Sequence, residues 1–234
     1  MRKKALVLLS GGLESAALVA YLINKKEFNE IEALNIFYGQ TNSKEQKSAK
    51  KIADYYNIPI EFMNLSKIFE ISDCAMISKN NMDVSVENAK KLKATNVFST
   101  KEKTFIPYRN GVFASVAATV AYSKNCNAVF NGVHGLNYVQ ETAYPDCSKK
   151  FIDAQSKAIS YGTGGYVEFI LPFRNIKKHQ VLTLGLELKV PYELTWSCYT
   201  NNSTPCEKCF ACIERKKAFS INNAVDPLEK GAFN

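Results

Sequence analysis

Ala5-Leu-Val-Leu-Leu-Ser-Gly-Gly-Leu-Glu-Ser15 is the stretch on which the fold turns. Its five apolar residues, 5–9, read as a strand, Ser10, Gly11 and Gly12 break the run, and residues 16–24 continue as a helix-compatible segment. Two glycines let a backbone turn sharply and approach a ligand closely. The N–H groups of such a turn, the helix N-terminus behind it and the hydroxyls of Ser10 and Ser15 make a cradle for an anion, and phosphate fits it. Neither G-x-x-x-x-G-K-S/T nor G-x-G-x-x-G occurs, so the common P-loop and Rossmann fingerprints are excluded. Taken alone, a Ser-Gly-Gly strand–helix turn is also compatible with a purely structural turn.

Outward from this stretch the pattern alternates. Short apolar runs at 31–37, 60–64, 128–132 and 167–171 read as further strands, each of the kind found where helices cover both faces of a sheet. Between them, residues 43–56 place Ala49, Ile52, Ala53 and Tyr56 on one helical face. The segment 110–123 is apolar nearly all round and predicts a deeply buried helix. The class is α/β. From 67 to 103 the pattern degrades into Ser, Lys, Asn and Thr, which reads equally as a lid or binding loop and as a variable surface insertion.

The 234 residues are 46% hydrophobic and 22% charged, with 11 Gly and 7 Pro, which excludes collagen, coiled coil and disorder and suits one well-buried domain. A net charge of +8 favours anionic partners, whether nucleotide, nucleic acid or an acidic protein face, without choosing among them. The apolar run after Met-Arg-Lys-Lys is shorter than the roughly 7–15 residues of a signal-peptide core. The most apolar later stretch, 111–122, is shorter than the about 20 residues a membrane span needs. The expectation is a soluble, cytoplasmic protein.

Of seven cysteines, Cys198, Cys206, Cys209 and Cys212 crowd together near the C-terminus, while Cys74, Cys126 and Cys147 stand alone. Four thiolates with C-x2-C spacing are what a closed tetrahedral zinc site requires, and the absence of a fifth ligand argues for structure over catalysis. An iron–sulfur cluster and coincidental thiols are the rival readings. His134 and His179, the only histidines, read as surface or loop residues.

The Ser10-Gly11-Gly12-Leu13-Glu14-Ser15 loop resembles the S-G-G-x-D-S loop of the PP-loop (N-type) ATP pyrophosphatases. More of the chain follows in order: Tyr38-Gly39-Gln40, Glu45, Ile106-Pro107-Tyr108-Arg109-Asn110, Gly132-Val133, Tyr144-Pro145-Asp146-Cys147, Leu184-Gly185-Leu186-Glu187-Leu188, and Leu194-Thr195-Trp196-Ser197-Cys198-Tyr199 entering the cysteine knuckle. Together these resemble the QueC family, the 7-cyano-7-deazaguanine (preQ0) synthases of the queuosine pathway. The resemblance implies a Rossmann-like parallel-sheet PP-loop domain, of the adenine nucleotide alpha hydrolase type, over 1–190. It also implies a small four-cysteine zinc segment, 191–234, packed on the same domain, and a homodimer. It implies a ligase that adenylates 7-carboxy-7-deazaguanine with ATP and Mg2+, captures the adenylate with ammonia as an amide, and uses a second ATP to reach the nitrile.

Carried over residue by residue, Ser10, Gly11, Gly12, Leu13, Glu14 and Ser15 line the ATP phosphates, with Gly132 beside them, and Tyr38 and Gln40 shape the adenine or deazapurine pocket. Arg109 and Asn110 fall beside the nucleotide. Arg109 reads as a phosphate clamp or as a helix-start ion pair. Asp146 reads as a partner for the guanine-like edge or as the N-cap of the helix after it. Arg109, Asp146 and Glu14 are the residues expected nearest the chemistry. Cys147 reads as a packed small residue, and Lys177 and Lys178, near a family lysine, as a solvated helix start or as a contact to substrate or nucleotide by one of them.

Three family acids are altered: Glu14 stands for Asp, Phe37 for Asp, and Asn137 for Asp within a longer 134–143 segment. Lost carboxylates would weaken Mg2+ binding or remove groups that handle ammonia. They also suit QueC-like antiphage-defence ligases, including those of type IV CBASS operons, which join the deazapurine to a protein amine, here on an acidic partner, without making a nitrile. A different class, a non-catalytic nucleic-acid binder, rests only on Arg215-Lys216-Lys217.

Overall fold

A computed structural model describes residues 3–72, 74, 76–77, 105–135, 145–200 and 203–230. Among them, strands β1 (Lys4–Leu8), β2 (Glu30–Phe37), β3 (Ile60–Asn64), β4 (Ala128–Phe130) and β5 (Glu168–Ile170) form one sheet in the order β3-β2-β1-β4-β5, with every neighbouring pair parallel. The helices are α1 (Leu13–Lys25), α2 (Lys44–Tyr55), the single turn α3 (Ser66–Phe69), α4 (Arg109–Ser123), α5 (Lys149–Gly162), α6 (Lys178–Glu187) and α7 (Phe210–Ile221).

β1 is central because both of its faces are apolar. Ala5 and Val7 pack into a cluster built with α1, α2, α6 and α7, whereas Leu6 packs on the other side with Leu34, Val129 and the alanines of α4. Side chains alternate across a strand, so one apolar run feeds two cores, and the α/β class expected from the sequence follows as three layers. No helix among the described residues is long and apolar enough to cross a membrane.

α4 corrects one expectation. It is not buried all round: Gly111, Ala114, Ala117, Ala118 and Ala121 face the sheet, while Ser115, Thr119 and Tyr122 are exposed. Small residues let the helix approach the sheet closely along one stripe, while on the far side Thr119 Oγ1 donates back to the Ser115 carbonyl at 3.1 Å and Ser123 Oγ to the Thr119 carbonyl at 3.0 Å. Apolar composition alone does not distinguish these faces. Of the irregular 67–103 stretch, residues 78–103 lie outside the described residues, as does 136–144 with Asn137 and Tyr144. Ile77 forms an antiparallel bridge with Gln40.

The order places the reversal of winding between β1 and β4. In an open parallel sheet the loops at the carboxyl ends of the strands diverge there and leave a crevice. Ser10–Ser15, following β1, and Gly132, following β4, stand on its two sides.

Candidate active site

The turn after β1 is built for close approach. Gly11 adopts φ +94°, and a Cβ on it would lie 2.3 Å from the Glu45 carbonyl oxygen and 2.8 Å from the Ala49 nitrogen, so α2 packs directly on its backbone. Asn35 Nδ2 donates to the Leu9 carbonyl at 2.9 Å, satisfying the backbone where the chain leaves the sheet. Gly12 is the N-cap of α1, with no side chain capping it. The two serines tie the loop together: Gly11 N–H donates to Ser15 Oγ at 3.2 Å, Gly12 N–H to Ser10 Oγ at 3.3 Å, and the two hydroxyls lie 3.1 Å apart. Leu13 is in the core, so only its backbone can serve a ligand. Gly132 completes the cradle, because a Cβ there would sit 3.3 Å from the Glu14 carbonyl oxygen.

Beside the cradle, Glu14 Oε1 is shared by Lys178 Nζ at 2.8 Å and His134 Nε2 at 3.3 Å. Burial pushes this carboxyl up, but Lys178 and His134 outweigh it and hold it well below the usual carboxylate range. Lys178 is therefore not the solvated helix start expected of it; its side chain is only 18% exposed. A cation in the first turn of α6 opposes the helix dipole and needs an anion nearby, which Glu14 supplies. His134 lies in the loop after β4, yet it reaches into the site, and its Nδ1 is buried without a partner among the described residues. His179 is on α6, not in a loop.

On the other side stands Arg109, the first residue of α4, with its guanidinium 5.3 Å from the centre of the Tyr38 ring. Tyr38 is buried against Phe69 and Phe113. Gln40 Oε1 accepts the Tyr38 N–H at 2.9 Å, and its side chain bonds Glu45. Burial raises the Glu45 carboxyl to about 7 against the opposing pull of Arg109. In the sequence Glu45 stands out only as part of a motif; its approach to Arg109 is a tertiary fact.

The turn Pro145–Cys147 docks on the start of α4. Asp146 Oδ2 accepts the Asn110 N–H at 2.9 Å, and Asn110 Nδ2 donates to Cys147 Sγ at 3.1 Å. Asp146 is thus not the N-cap of the helix that follows it. Ser148 has that role, its Oγ accepting from the Phe151 N–H, and Asp146 caps α4 from a distance. Burial pushes the Cys147 thiol up to about 11, in keeping with a packed residue.

Cys198, Cys206, Cys209 and Cys212 bring their sulfurs within 4.8 Å of one another, and a tetrahedral site with bonds of about 2.3 Å needs them about 3.8 Å apart. Hydrogen bonds from Cys209 and Cys212 draw the Cys198 thiol far down, and the same contacts push those two partners up. Sulfurs so crowded fit a shared cation. The basic run nearby divides: Arg215 is buried, bonded through Nε and Nη2 to Asp226 at 2.6 and 2.9 Å, so it contributes nothing to a surface for nucleic acid.

The sequence model of the family described as Queuosine biosynthesis protein QueC matches residues 4–223. The chain is 36% identical over 240 residues to the 7-cyano-7-deazaguanine synthase of Thermoplasma volcanium, spanning 100% of this chain and 93% of that protein. It is also 36% identical over 226 residues to the 7-cyano-7-deazaguanine synthase of Archaeoglobus fulgidus, spanning 96% and 89%. Among solved structures, NMN synthetase from Francisella tularensis aligns with a TM-score of 0.48 at 14% identity, over 99% of this chain and 82% of that one. With a match that runs through the cradle, both flanking clusters and the cysteine turn, the chain belongs to the QueC family.

Proposed function

We propose that this chain is an ATP-dependent carbon–nitrogen ligase that makes 7-cyano-7-deazaguanine from 7-carboxy-7-deazaguanine and ammonia. The observation that carries this reading is the cradle: a glycine turn fixed by α2, an uncapped helix N-terminus and two tied serines at the reversal point of the sheet. The curated relatives named 7-cyano-7-deazaguanine synthase support nitrile synthesis over conjugation to a protein amine, and no observation favours the defence ligase or the nucleic-acid binder.

In this reading the 10–15 loop and Gly132 hold the ATP phosphates. The substrate carboxylate attacks the α-phosphorus, pyrophosphate leaves, and Lys178, held beside the cradle by Glu14, neutralises part of the charge that develops on it. Ammonia then attacks the acyl carbon, AMP departs, and Glu45 takes the proton that nitrogen sheds, a task suited to a carboxyl with a pKa of about 7. A second ATP adenylates the amide oxygen, and loss of AMP with two protons from nitrogen leaves the nitrile. Arg109 clamps the nucleotide, Tyr38 and Gln40 wall the base pocket, and Asp146 offers its remaining carboxylate oxygen to the deazapurine edge.

Mg2+ would enter with the triphosphate and supply charge neutralisation beside Glu14, whose Oε1 is shared by Lys178 and His134. Zn2+ would be held by the four cysteines and act structurally. The division into a nucleotide-binding part, 1–190, and a metal segment, 191–234, belongs to this reading, as do a homodimer and a cytoplasmic location. Mass spectrometry after incubation with ATP, Mg2+, 7-carboxy-7-deazaguanine and ammonium tests it. A nitrile product is expected, whereas an amide alone, or mass added to a protein, would contradict it.

A further inference from the structure

Trp196 is the chain's only tryptophan, fully buried, and it stands between the phosphate loop and the cysteine turn. Its backbone N–H donates to the Gly11 carbonyl at 2.9 Å, which pins the turn of the cradle. Its indole Nε1–H donates to the Cys198 carbonyl at 3.0 Å, and the same carbonyl accepts from Asn42 Nδ2 at 2.6 Å. Lys44 Nζ lies 4.3 Å from the centre of the indole ring and donates to the Ser203 carbonyl at 2.8 Å. The start of α2 and the turn of the cradle are therefore both fastened to the backbone around one cysteine.

That anchorage has little apolar support of its own. The core around Trp196 comprises Cys198, Cys209, Cys212 and Leu228, with Tyr199, Cys206 and Ala211 at its margin, so the cysteines are most of the core they sit in. Without a cation the four crowded thiols are tied in by weak sulfur hydrogen bonds, such as Cys206 N–H to Cys198 Sγ at 3.3 Å and Cys209 N–H to Cys206 Sγ at 3.4 Å. A bound metal replaces these with coordinate bonds. The Arg215 network offers an independent hold on the backbone on both sides of Trp196, through Thr195 Oγ1 at 2.7 Å, the Tyr192 carbonyl at 3.2 Å and Ser197 Oγ at 3.4 Å, but it makes no bond to Cys198 or Asn42.

We propose that the four-cysteine turn is a strut for the nucleotide site: with a thiophilic divalent cation bound, Cys198 holds Trp196 and Asn42, and these two positioning residues hold Gly11 in the shape that receives phosphate. The nucleotide half of this inference rests on reading the 10–15 loop as the ATP phosphate site; the mechanical half does not. Nucleotide affinity thereby depends on metal loading although no cysteine touches the nucleotide.

The test is hydrogen exchange of the 9–16 segment in full-length protein loaded with Zn2+ and in the same protein stripped by chelator under reducing conditions, with no ATP present. Trp196 fluorescence and ATP titration are read on the same samples. Stripping is expected to speed exchange in 9–16 at least tenfold, to shift the tryptophan emission to the red, and to weaken ATP binding at least tenfold while the sheet stays protected. Asn42→Ala keeps all four ligands and guards against a stripped protein that unfolds; it should retain one Zn2+ per chain yet loosen the same segment and raise the KM for ATP more than that for the deazapurine. Unchanged exchange in 9–16 on stripping, or in the metal-loaded N42A variant, would overturn the strut. A loaded protein whose loop loosens on stripping but which binds no ATP would support the strut and remove the phosphate reading instead.

Discussion

Two carboxylates flank the glycine turn after β1, and each faces a cation, but they end up in opposite states. Glu14 shares one oxygen between Lys178 and His134, and their combined pull overcomes burial and keeps it ionised. Glu45 faces Arg109 and a Gln40 amide, and there burial wins, leaving the carboxyl at about 7. The cations differ in how they are shared: Lys178 points at Glu14 in direct contact, whereas Arg109 also answers to Tyr38, Asp146 and Cys147. One flank thus carries a fixed charge, while the other holds a carboxyl able to pick up and release a proton near neutral pH.

The comparison breaks most sharply at Lys178. Lys178→Ala should lower kcat/KM by about a thousandfold, the scale on which a preorganised charge serves a leaving group, while Glu14, stripped of its main partner, rises toward ordinary acidity. Steady-state kinetics with pyrophosphate detection reads the first effect, and an unchanged rate would remove Lys178 from the site. Glu45→Gln should cost about a hundredfold in amide formation. It should also abolish the rise of rate with pH through about 7 expected of a carboxyl raised there; a pH profile that keeps that limb assigns it to another group.

Stability against pH sharpens the contrast without reference to catalysis. Glu14 is held below its ordinary 4.5, so its contribution is present above that pH and is lost as the pH falls. Glu45 is held above the same value, so its contribution is present below 4.5 and is lost as the pH rises through about 7. Urea unfolding across pH should therefore lose its acid-side slope in Glu14→Gln and its slope between 4.5 and 7 in Glu45→Gln. The same change in both variants would contradict the opposite assignments. The smallest effect belongs to Asp146: Asp146→Ala unpairs the Asn110 N–H and should cost about 1 kcal/mol in unfolding, whereas Asp146→Asn keeps the acceptor and should raise the KM for the deazapurine with little loss of stability.

Much of this is legible without coordinates. Residues 60–64 are strand β3 as read, and the other strands differ by a residue or two; β1 and β4, covered on both faces, must be short apolar runs, whereas β3 lies at the sheet edge with Glu61, Phe62 and Asn64 exposed, so helices do not cover both of its faces as expected. The cradle and the cysteine cluster are legible for a similar reason, since their spacing is local. The flanks are not. Lys178 opens a helix more than 160 positions from Glu14, and Asp146 caps α4 through Asn110, 36 residues earlier. Such pairings depend on which strand ends the parallel crossovers bring together, and no spacing along the chain encodes that. The face of α4 is hidden for another reason, since alanine is counted apolar wherever it points.

The central claim is that one cradle serves two successive adenylations. Counting AMP against product in a reaction with 7-carboxy-7-deazaguanine, ammonium and ATP tests it directly: two AMP and two pyrophosphate should appear for each nitrile formed. One AMP per product with the reaction halted at the amide, or released against label fixed to a protein, would contradict it.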